Sequence, residues 1–273
     1  MRVTALMSGA MLLAMTGASA QAALTDGLVS YWPLDGGAVD QAAANAGNAD
    51  TAADNGTIEG TPGAVSIGAG KWGNAGIFDG TDGYVSVAES DDVNAEGESL
   101  SISAWFRVDA FDKGWQALIA KGEGLNYRIA RQGGDTNSMS YAGGATDLRD
   151  GPDVNDGLWH NIVATTEEGG LTAFYIDGVF VEDLSTRGDP GATASIVNER
   201  TPPALWIGDN PDANGRNWTG GIDDVAIWNR VLTVDEIAQI QQGPVGVPEP
   251  GAIALAIVGG LGLLGTARRR MKG

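Results

Sequence analysis

Carboxylates dominate the reactive side chains of this sequence: 35 Asp and Glu stand against 16 Lys and Arg, with one histidine and no cysteine. Without thiols there is no Cys nucleophile and no Cys-based metal site, and a lone His160 rules out a multi-histidine zinc centre. A Ser-His-Asp triad would have to use His160, yet no Gly-x-Ser-x-Gly elbow presents a partnered serine. Following Trp159 at the start of a strand-like segment, His160 reads as a packing and hydrogen-bonding residue. Retaining glycoside hydrolysis needs two carboxylates about 5–5.5 Å apart across the scissile bond. The acidic clusters Glu89-Ser90-Asp91-Asp92 and Glu96-Gly97-Glu98 lie in turn-like sequence and read as solvated loop charge, so no catalytic residue is assigned. Oxygen-rich stretches favour Ca2+, which takes about six to eight oxygen ligands. In Ile222-Asp223-Asp224-Val225, strand alternation sends the two carboxylates to opposite faces, so both cannot serve one core-side site. Asp209-Asn210-Pro211-Asp212-Ala213-Asn214 lacks the EF-hand pattern and reads as a turn.

Aromatic rings offer a second chemistry, because sugars stack their C–H faces on Trp and Tyr. Trp72, Trp115, Tyr141 and Trp218 lie in Gly/Asn/Asp-rich contexts, where ligand contact and buried loop anchoring are both open. Trp115, Tyr141 and Trp218, with Arg128 as a hydrogen-bond donor, form the candidate ligand-binding set. Arg131 is a further donor, and both arginines could equally offset neighbouring acids. Trp32, Trp105, Trp159, Trp206 and Trp228 are expected to pack the domain or its rim. The formal net charge of −19 argues against nucleic acid or an anionic membrane surface as partner. It fits divalent cations, neutral polymers, or solubility in an ionic medium.

These residues must be positioned by an all-β chain. Short alternating apolar segments recur between Gly-rich turns: Leu28 to Trp32, Gly76 to Phe78, Tyr84 to Val87, Leu100 to Val108, Gln116 to Lys121, Tyr127 to Ala130, His160 to Thr166, Leu171 to Asp177, Val179 to Asp183, Ala204 to Gly208 and Gly221 to Trp228. Their spacing predicts a sandwich or barrel. Asp177-Gly178 supplies the positive φ angles of a type I′ hairpin turn. One short helix is expected, capped by Thr233 with Glu236 as its capping-box partner, Ile237 and Ile240 on its apolar side, and Gly243-Pro244 beyond. Asp35 to Gly70 reads as a long irregular loop in which only Thr57 to Glu59 pairs.

The two ends read as address labels. Met1-Arg2, the uncharged run Ala5 to Ala18 and small-residue cleavage sites at Ala18-Ser19-Ala20 and Ala20-Gln21-Ala22 form a secretory signal peptide over residues 1–22. At the other end come Pro248-Glu249-Pro250, an uncharged run over residues 251–267, and Arg268-Arg269-Arg270. Seventeen residues of helix span roughly 25 Å, slightly short of a bilayer core. This layout, residues 247–273, resembles the PEP-CTERM sorting signal. The resemblance implies an exosortase-type membrane enzyme as partner, transient inner-membrane contact through residues 251–267, and cleavage at or near the motif. The expected destination is the cell surface or extracellular matrix, with membrane anchoring before processing. Residues 23–245 then form one exported domain.

Four segments of that domain arrive in a recognisable order: Leu28-Val-Ser-Tyr-Trp-Pro-Leu-Asp35, Gly76-Ile-Phe-Asp-Gly-Thr-Asp-Gly-Tyr-Val85, Gly157-Leu-Trp-His-Asn-Ile-Val163 with Phe174-Tyr-Ile-Asp-Gly178, and Gly221-Ile-Asp-Asp-Val-Ala-Ile-Trp-Asn-Arg-Val-Leu-Thr-Val-Asp-Glu236. They resemble the bacterial laminin-G-like, concanavalin A-like domains. The resemblance implies an antiparallel two-sheet jelly-roll sandwich. It also implies a structural Ca2+ held by Asp223, with the segment near Asp35 contributing, or else an Asp223 that only caps local backbone amides. Glucanase relatives carry Glu-x-Asp-x-x-Glu on a central strand, and no such strand exists here. The expected function is a non-catalytic binding module for a glycan or a surface or matrix protein. A divergent glycan hydrolase and a purely structural biofilm protein are the alternatives.

Overall fold

The computed structural model describes residues 24–38, 54–123, 126–188, 191–197 and 204–245. The signal segment 1–22, the run 251–267, Pro248, Glu249, Pro250 and Arg268 to Arg270 lie outside the described residues. Among the described residues no helix is long and apolar enough to cross a membrane.

Among the described residues, fourteen strands in two antiparallel sheets form a sandwich, in order β1 Leu28–Trp32, β2 Gly56–Glu59, β3 Val65–Ala69, β4 Asn74–Asp79, β5 Tyr84–Val87, β6 Leu100–Val108, β7 Ala117–Ala120, β8 Tyr127–Arg131, β9 Met139–Gly143, β10 Trp159–Thr166, β11 Thr172–Ile176, β12 Val179–Asp183, β13 Leu205–Ile207 and β14 Thr219–Trp228. One sheet is eight-stranded, ordered β12-β11-β10-β6-β14-β4-β3 with β1 paired to β14, and the other six-stranded, ordered β2-β5-β13-β7-β8-β9. Alternation along β6 explains the layering: Ile102, Ala104, Phe106 and Val108 enter the main core, leaving Ser101, Ser103, Trp105 and Arg107 for the outer face. Leu205 and Ile207, Ile129, Met139 and Tyr141 supply the core from the six-stranded sheet.

A smaller apolar cluster covers one end of the eight-stranded sheet's outer face. Here α1, Val234–Ile240, lays Ile237 and Ile240 against Leu28, Tyr31, Val163 and Trp228. Its start is the expected capping box: Thr233 accepts from the Glu236 amide, and the Glu236 carboxylate accepts from the Thr233 amide. The β11–β12 turn also forms as expected, with positive φ at Asp177 and Gly178.

Three expectations are corrected. The stretch Asp35 to Gly70 is not loop to its end: β3 pairs with β4 from Val65 to Ala69. Its outward Ser66 and Gly68 give it little apolar signal, and pairing with β4 makes the strand. β9 arises in the Ser/Gly-rich run after Asn137, paired along β8. Finally, strict alternation fails in β14, where a bulge between Asp223 and Ala226 puts Asp224 at φ 47. The extra residue brings both carboxylates to neighbouring positions rather than to opposite faces.

Candidate functional site

The outer face of the six-stranded sheet gathers rings and guanidinium groups. Across it runs the row Ser86, Trp206, Ala120, Arg128 and Ala142, set by register through β5, β13, β7, β8 and β9. Alternation makes this so: Leu205 and Ile207 face inward, so Trp206 faces out, where it stacks on Tyr84 at 4.0 Å between ring centres. Ala117, Ala120 and Ala130 form a small-residue floor, buried on this face as an apolar cluster of their own.

At the other side of that floor stands Trp115, partly exposed and held at φ 59. Left-handed backbone at a bulky residue costs about 1–2 kcal/mol, a cost the surrounding structure has to offset. The Trp115 amide donates to the Gly133 carbonyl at 2.7 Å, which pins it. The Arg128 and Arg149 guanidinium groups lie 4.9 and 5.6 Å from the ring centre. Both arginines are fixed in turn. Arg128, its side chain 6% exposed, pairs with Glu123 and with Asp147 at 3.0 Å. Arg149 reaches Asp147 at 3.6 Å, and Arg216 pairs with Glu123, which also accepts from the Asn210 amide group at 2.6 Å. The Nε of Arg128 and of Arg149 are shut from solvent without a partner. The result is a ring with preset donors around it, suited to a polar, ring-shaped ligand. The nearby acids Glu123 and Asp147 are engaged by arginines.

The structure therefore brings Trp115 and Arg128 together but corrects two other expected ligand residues. Tyr141 is fully buried in the core, its hydroxyl 2.7 Å from Thr166 Oγ1. Trp218 is fully buried with its ring edge-on to Phe106 and Phe111. Neither offers a face to a sugar; their polar sequence neighbourhoods reflect the loops they anchor. Sequence reasoning assigned Trp206 to packing and passed over Tyr84 and Arg149. The parity of Leu205-Trp206-Ile207 was the available signal. Arg131 is spent on carbonyls, donating to Thr136 and Lys113 at 2.8 Å each. His160 bridges Asp177 and Asp156 at 2.8 and 3.1 Å, and the hydrogen bond that Asp177 accepts from the ring raises its pKa. The acids Asp91, Asp92 and Glu98 rim a hollow of about 170 Å³ that holds no orphaned polar atom.

The metal candidates sit at the eight-stranded sheet. Asp223 is fully buried; its Oδ2 accepts from the Lys71 and Trp72 amides at 2.7 and 3.1 Å, while Oδ1 has no partner. Asp224 accepts from the Tyr31 hydroxyl, and its Oδ2 is likewise orphaned. Asp35 lies on the exposed side and accepts from the Asn74 amide at 2.7 Å. Burial pushes Asp223 up to about 7, with the Asp35 charge adding and the two amides opposing. Burial and the Asp223 charge push Asp224 up to about 8. Two buried carboxylates with spare oxygens are the donor chemistry of Ca2+. As placed, no three acidic side chains among the described residues converge into a ready shell. Asp223, Asp224 and Asp35 are the residues that would hold the ion, and main-chain carbonyls or water would have to complete its coordination.

Comparison with known proteins places this geometry. A family model described as the concanavalin A-like lectin/glucanases superfamily matches residues 79–238. The sushi, von Willebrand factor type A, EGF and pentraxin domain-containing protein 1 of Rattus norvegicus is 31% identical over 109 residues, 37% of this chain and 3% of that protein. The Mus musculus protein of the same name is 31% identical over 106 residues, again 3% of its length. Among solved structures, the binding domain of Paraclostridial Mosquitocidal Protein 1 matches with TM-score 0.60 at 15% identity, over 80% of this chain and 52% of that one. Domain 4 of AbnA, a GH43 extracellular arabinanase from Geobacillus stearothermophilus solved with arabinotriose, matches with TM-score 0.54 at 19% identity, over 79% of this chain and 98% of that one. The binding domain of botulinum neurotoxin DC, in complex with rat synaptotagmin II, matches with TM-score 0.53 at 16% identity, over 80% and 52%. The chain spans about half the length of the two toxin binding domains, and at these identities the likeness is one of fold.

Proposed function

The chain belongs to the concanavalin A-like lectin/glucanase superfamily, and from that premise we propose that it is an exported, non-catalytic module that binds carbohydrate. The observation that carries this reading is the Trp115 ring, held in left-handed backbone and flanked by Arg128 and Arg149. Strained backbone clusters at ligand clamps, and at a partly exposed aromatic it supports a binding position. A sugar ring would stack on Trp115, and Arg149, the more exposed guanidinium, would donate to its hydroxyls. The engaged acids Glu123 and Asp147 favour binding over hydrolysis. General support comes from neighbours of the fold: domain 4 of AbnA was solved with arabinotriose, and cell entry of botulinum neurotoxin type C depends on gangliosides.

The ends of the chain complete the proposal. Residues 1–22 would direct export, and Pro248-Glu249-Pro250, residues 251–267 and Arg268 to Arg270 would be the handle for an exosortase-type enzyme. The module would then reach the cell surface or matrix. A structural Ca2+ at Asp223, Asp224 and Asp35 would stiffen the scaffold. The test is a glycan array followed by titration calorimetry of the hits against the protein and its Trp115→Ala variant, with and without chelator. At least a tenfold loss of affinity in the variant is expected. Equal binding by protein and variant, or no binding to any glycan, would sink the reading.

A further inference from the structure

The opposite outer face of the sandwich, on the eight-stranded sheet, carries an unused set of polar atoms. Beyond the end covered by α1, register places Trp105 beside Asp223 on β14 and Asn161 on β10, and Arg107 beside Gly221 and Trp159. The β3–β4 turn folds over this row. Its Trp72 meets Trp105 edge-on at 6.2 Å, and the Lys71 ammonium lies 4.2 Å from the Trp105 ring centre and 5.4 Å from that of Trp72. Trp159, partly exposed, lies across Gly221, where a Cβ would come within 2.5 Å of the ring. Glycine there keeps the sheet open to the indole.

Trp105 is only 3% exposed, yet its indole Nε1 has no partner, nor has that of Trp72, nor Asp223 Oδ1 beside them. A buried indole N–H ordinarily finds an acceptor, and leaving one unmade costs about 1–3 kcal/mol. A cation at Asp223 could use the carboxylate oxygen but not the two N–H donors. They call for an oxygen lone pair. The occupant's charge follows from its surroundings. Asp223 and Asp35 clamp the same turn, and Asp177 senses the Lys71 charge. On this face Lys71 has no carboxylate within salt-bridge distance among the described residues, whereas Arg107 pairs with Asp109 at 2.7 Å. An anionic ligand is disfavoured.

We infer that Lys71, Trp72, Trp105 and Trp159 form a second ligand site, which takes a neutral pyranose residue of a polysaccharide. Hydroxyl oxygens accept from the two indole N–H groups, the sugar's C–H face lies on Trp159, and the flexible Lys71 side chain swings aside to admit it. This inference rests on the carbohydrate reading above. With Trp115 on the other outer face, one domain holds two sugar chains at once and acts as a cross-link in a polymer matrix.

The experiment titrates neutral gluco- and manno-oligosaccharides, and oligouronates as the charged control, into the full chain by calorimetry. Trp72→Phe/Trp105→Phe keeps the rings and removes the N–H donors; Trp159→Ala, at a partly exposed position, guards against misfolding of the double variant. Two neutral sugars per chain are expected in the wild type. One is expected in Trp115→Ala and one in Trp72→Phe/Trp105→Phe, with Trp159→Ala weakening the second site at least tenfold. One site per chain, abolished by Trp115→Ala alone, overturns the second site and leaves the first reading standing. Tighter binding of oligouronates than of neutral sugars to Trp115→Ala also overturns it. Binding of no oligosaccharide to any form defeats both readings together.

Discussion

The two outer faces of the sandwich carry similar residue types and solve their electrostatics differently. On the six-stranded side, arginines and acids form a closed mesh: Arg128 is shared by Glu123 and Asp147, and Glu123 by Arg128 and Arg216. The acids nearest Trp115 have arginine partners, the Nε atoms of Arg128 and Arg149 stay unpaired, and Trp115 itself holds left-handed backbone. On the eight-stranded side Trp105 itself lies in regular strand, the left-handed residue is Asp224 in the β14 bulge, and the unpaired atoms are two indole N–H groups and oxygens of Asp223 and Asp224. One face is preorganised by its ion pairs. The other holds its Lys71–Trp72 turn on the buried Asp223 carboxylate, with Asp35 at the turn's edge. Proton and cation concentration should therefore move the second face more than the first.

The largest expected effect follows from the sign of those shifts. Asp223 and Asp224 have folded pKa values near 7 and 8 against an unfolded value of 3.8. Between those values the native state binds more protons than the unfolded one, so stability falls as pH rises from about 4 to about 8. For fully buried Asp223 the bound is on the order of 4 kcal/mol, from about 1.4 kcal/mol per pKa unit. In chelator, thermal midpoints should drop by several degrees over this window, and Ca2+ should restore them at the alkaline end. His160, raised by Asp177, adds loss in the same direction. Asp223→Asn should remove Asp223's own share of the slope, ease that of Asp224, and abolish the Ca2+ response. A slope unchanged in that variant would break the comparison.

A smaller loss is expected on the other face from Arg128→Met. Removing one partner of a buried pair strands its acids, at about 3–5 kcal/mol when both are buried. Here Glu123 and Asp147 are partly solvated and keep Arg216 and Arg149, so about 1–3 kcal/mol is expected, read from urea unfolding. The loss should show little Ca2+ dependence. Strong dependence would mean that the faces are coupled.

How much of this was legible beforehand follows from which forces act locally. The β6 alternation, the Asp177-Gly178 turn and the Thr233–Glu236 capping box are set within a few residues, and all three formed as read. β3 and β9 are short, with Ser and Gly between and beside their apolar residues, and they form by pairing along β4 and β8. The site was half legible. Trp115 and Arg128 stood out by type and context, and they meet. Tyr141 and Trp218 stood in the same kind of context and are core residues, because Gly-rich sequence marks a loop without saying which way its aromatic points. The β14 bulge was illegible: a one-residue insertion leaves the Ile222-Asp-Asp-Val225 pattern unchanged while re-aiming Asp224.

The smallest stability effect is also the sharpest probe of the first face. Trp115→Gly removes the ring and its contacts with Arg128 and Arg149, which costs packing. It also releases the left-handed strain at φ 59, worth about 1–2 kcal/mol in the opposite direction. The two terms nearly cancel, so the unfolding midpoint should stay within about 1 kcal/mol of wild type. Sugar binding through that face should nevertheless disappear. Trp115→Phe keeps both the strain and a smaller ring, and should retain part of the binding. If instead Trp115→Gly unfolds the domain like a core mutant, Trp115 is an anchor for its loop. The strain then serves packing, and the contrast between a preset face and a conditional one loses its first term.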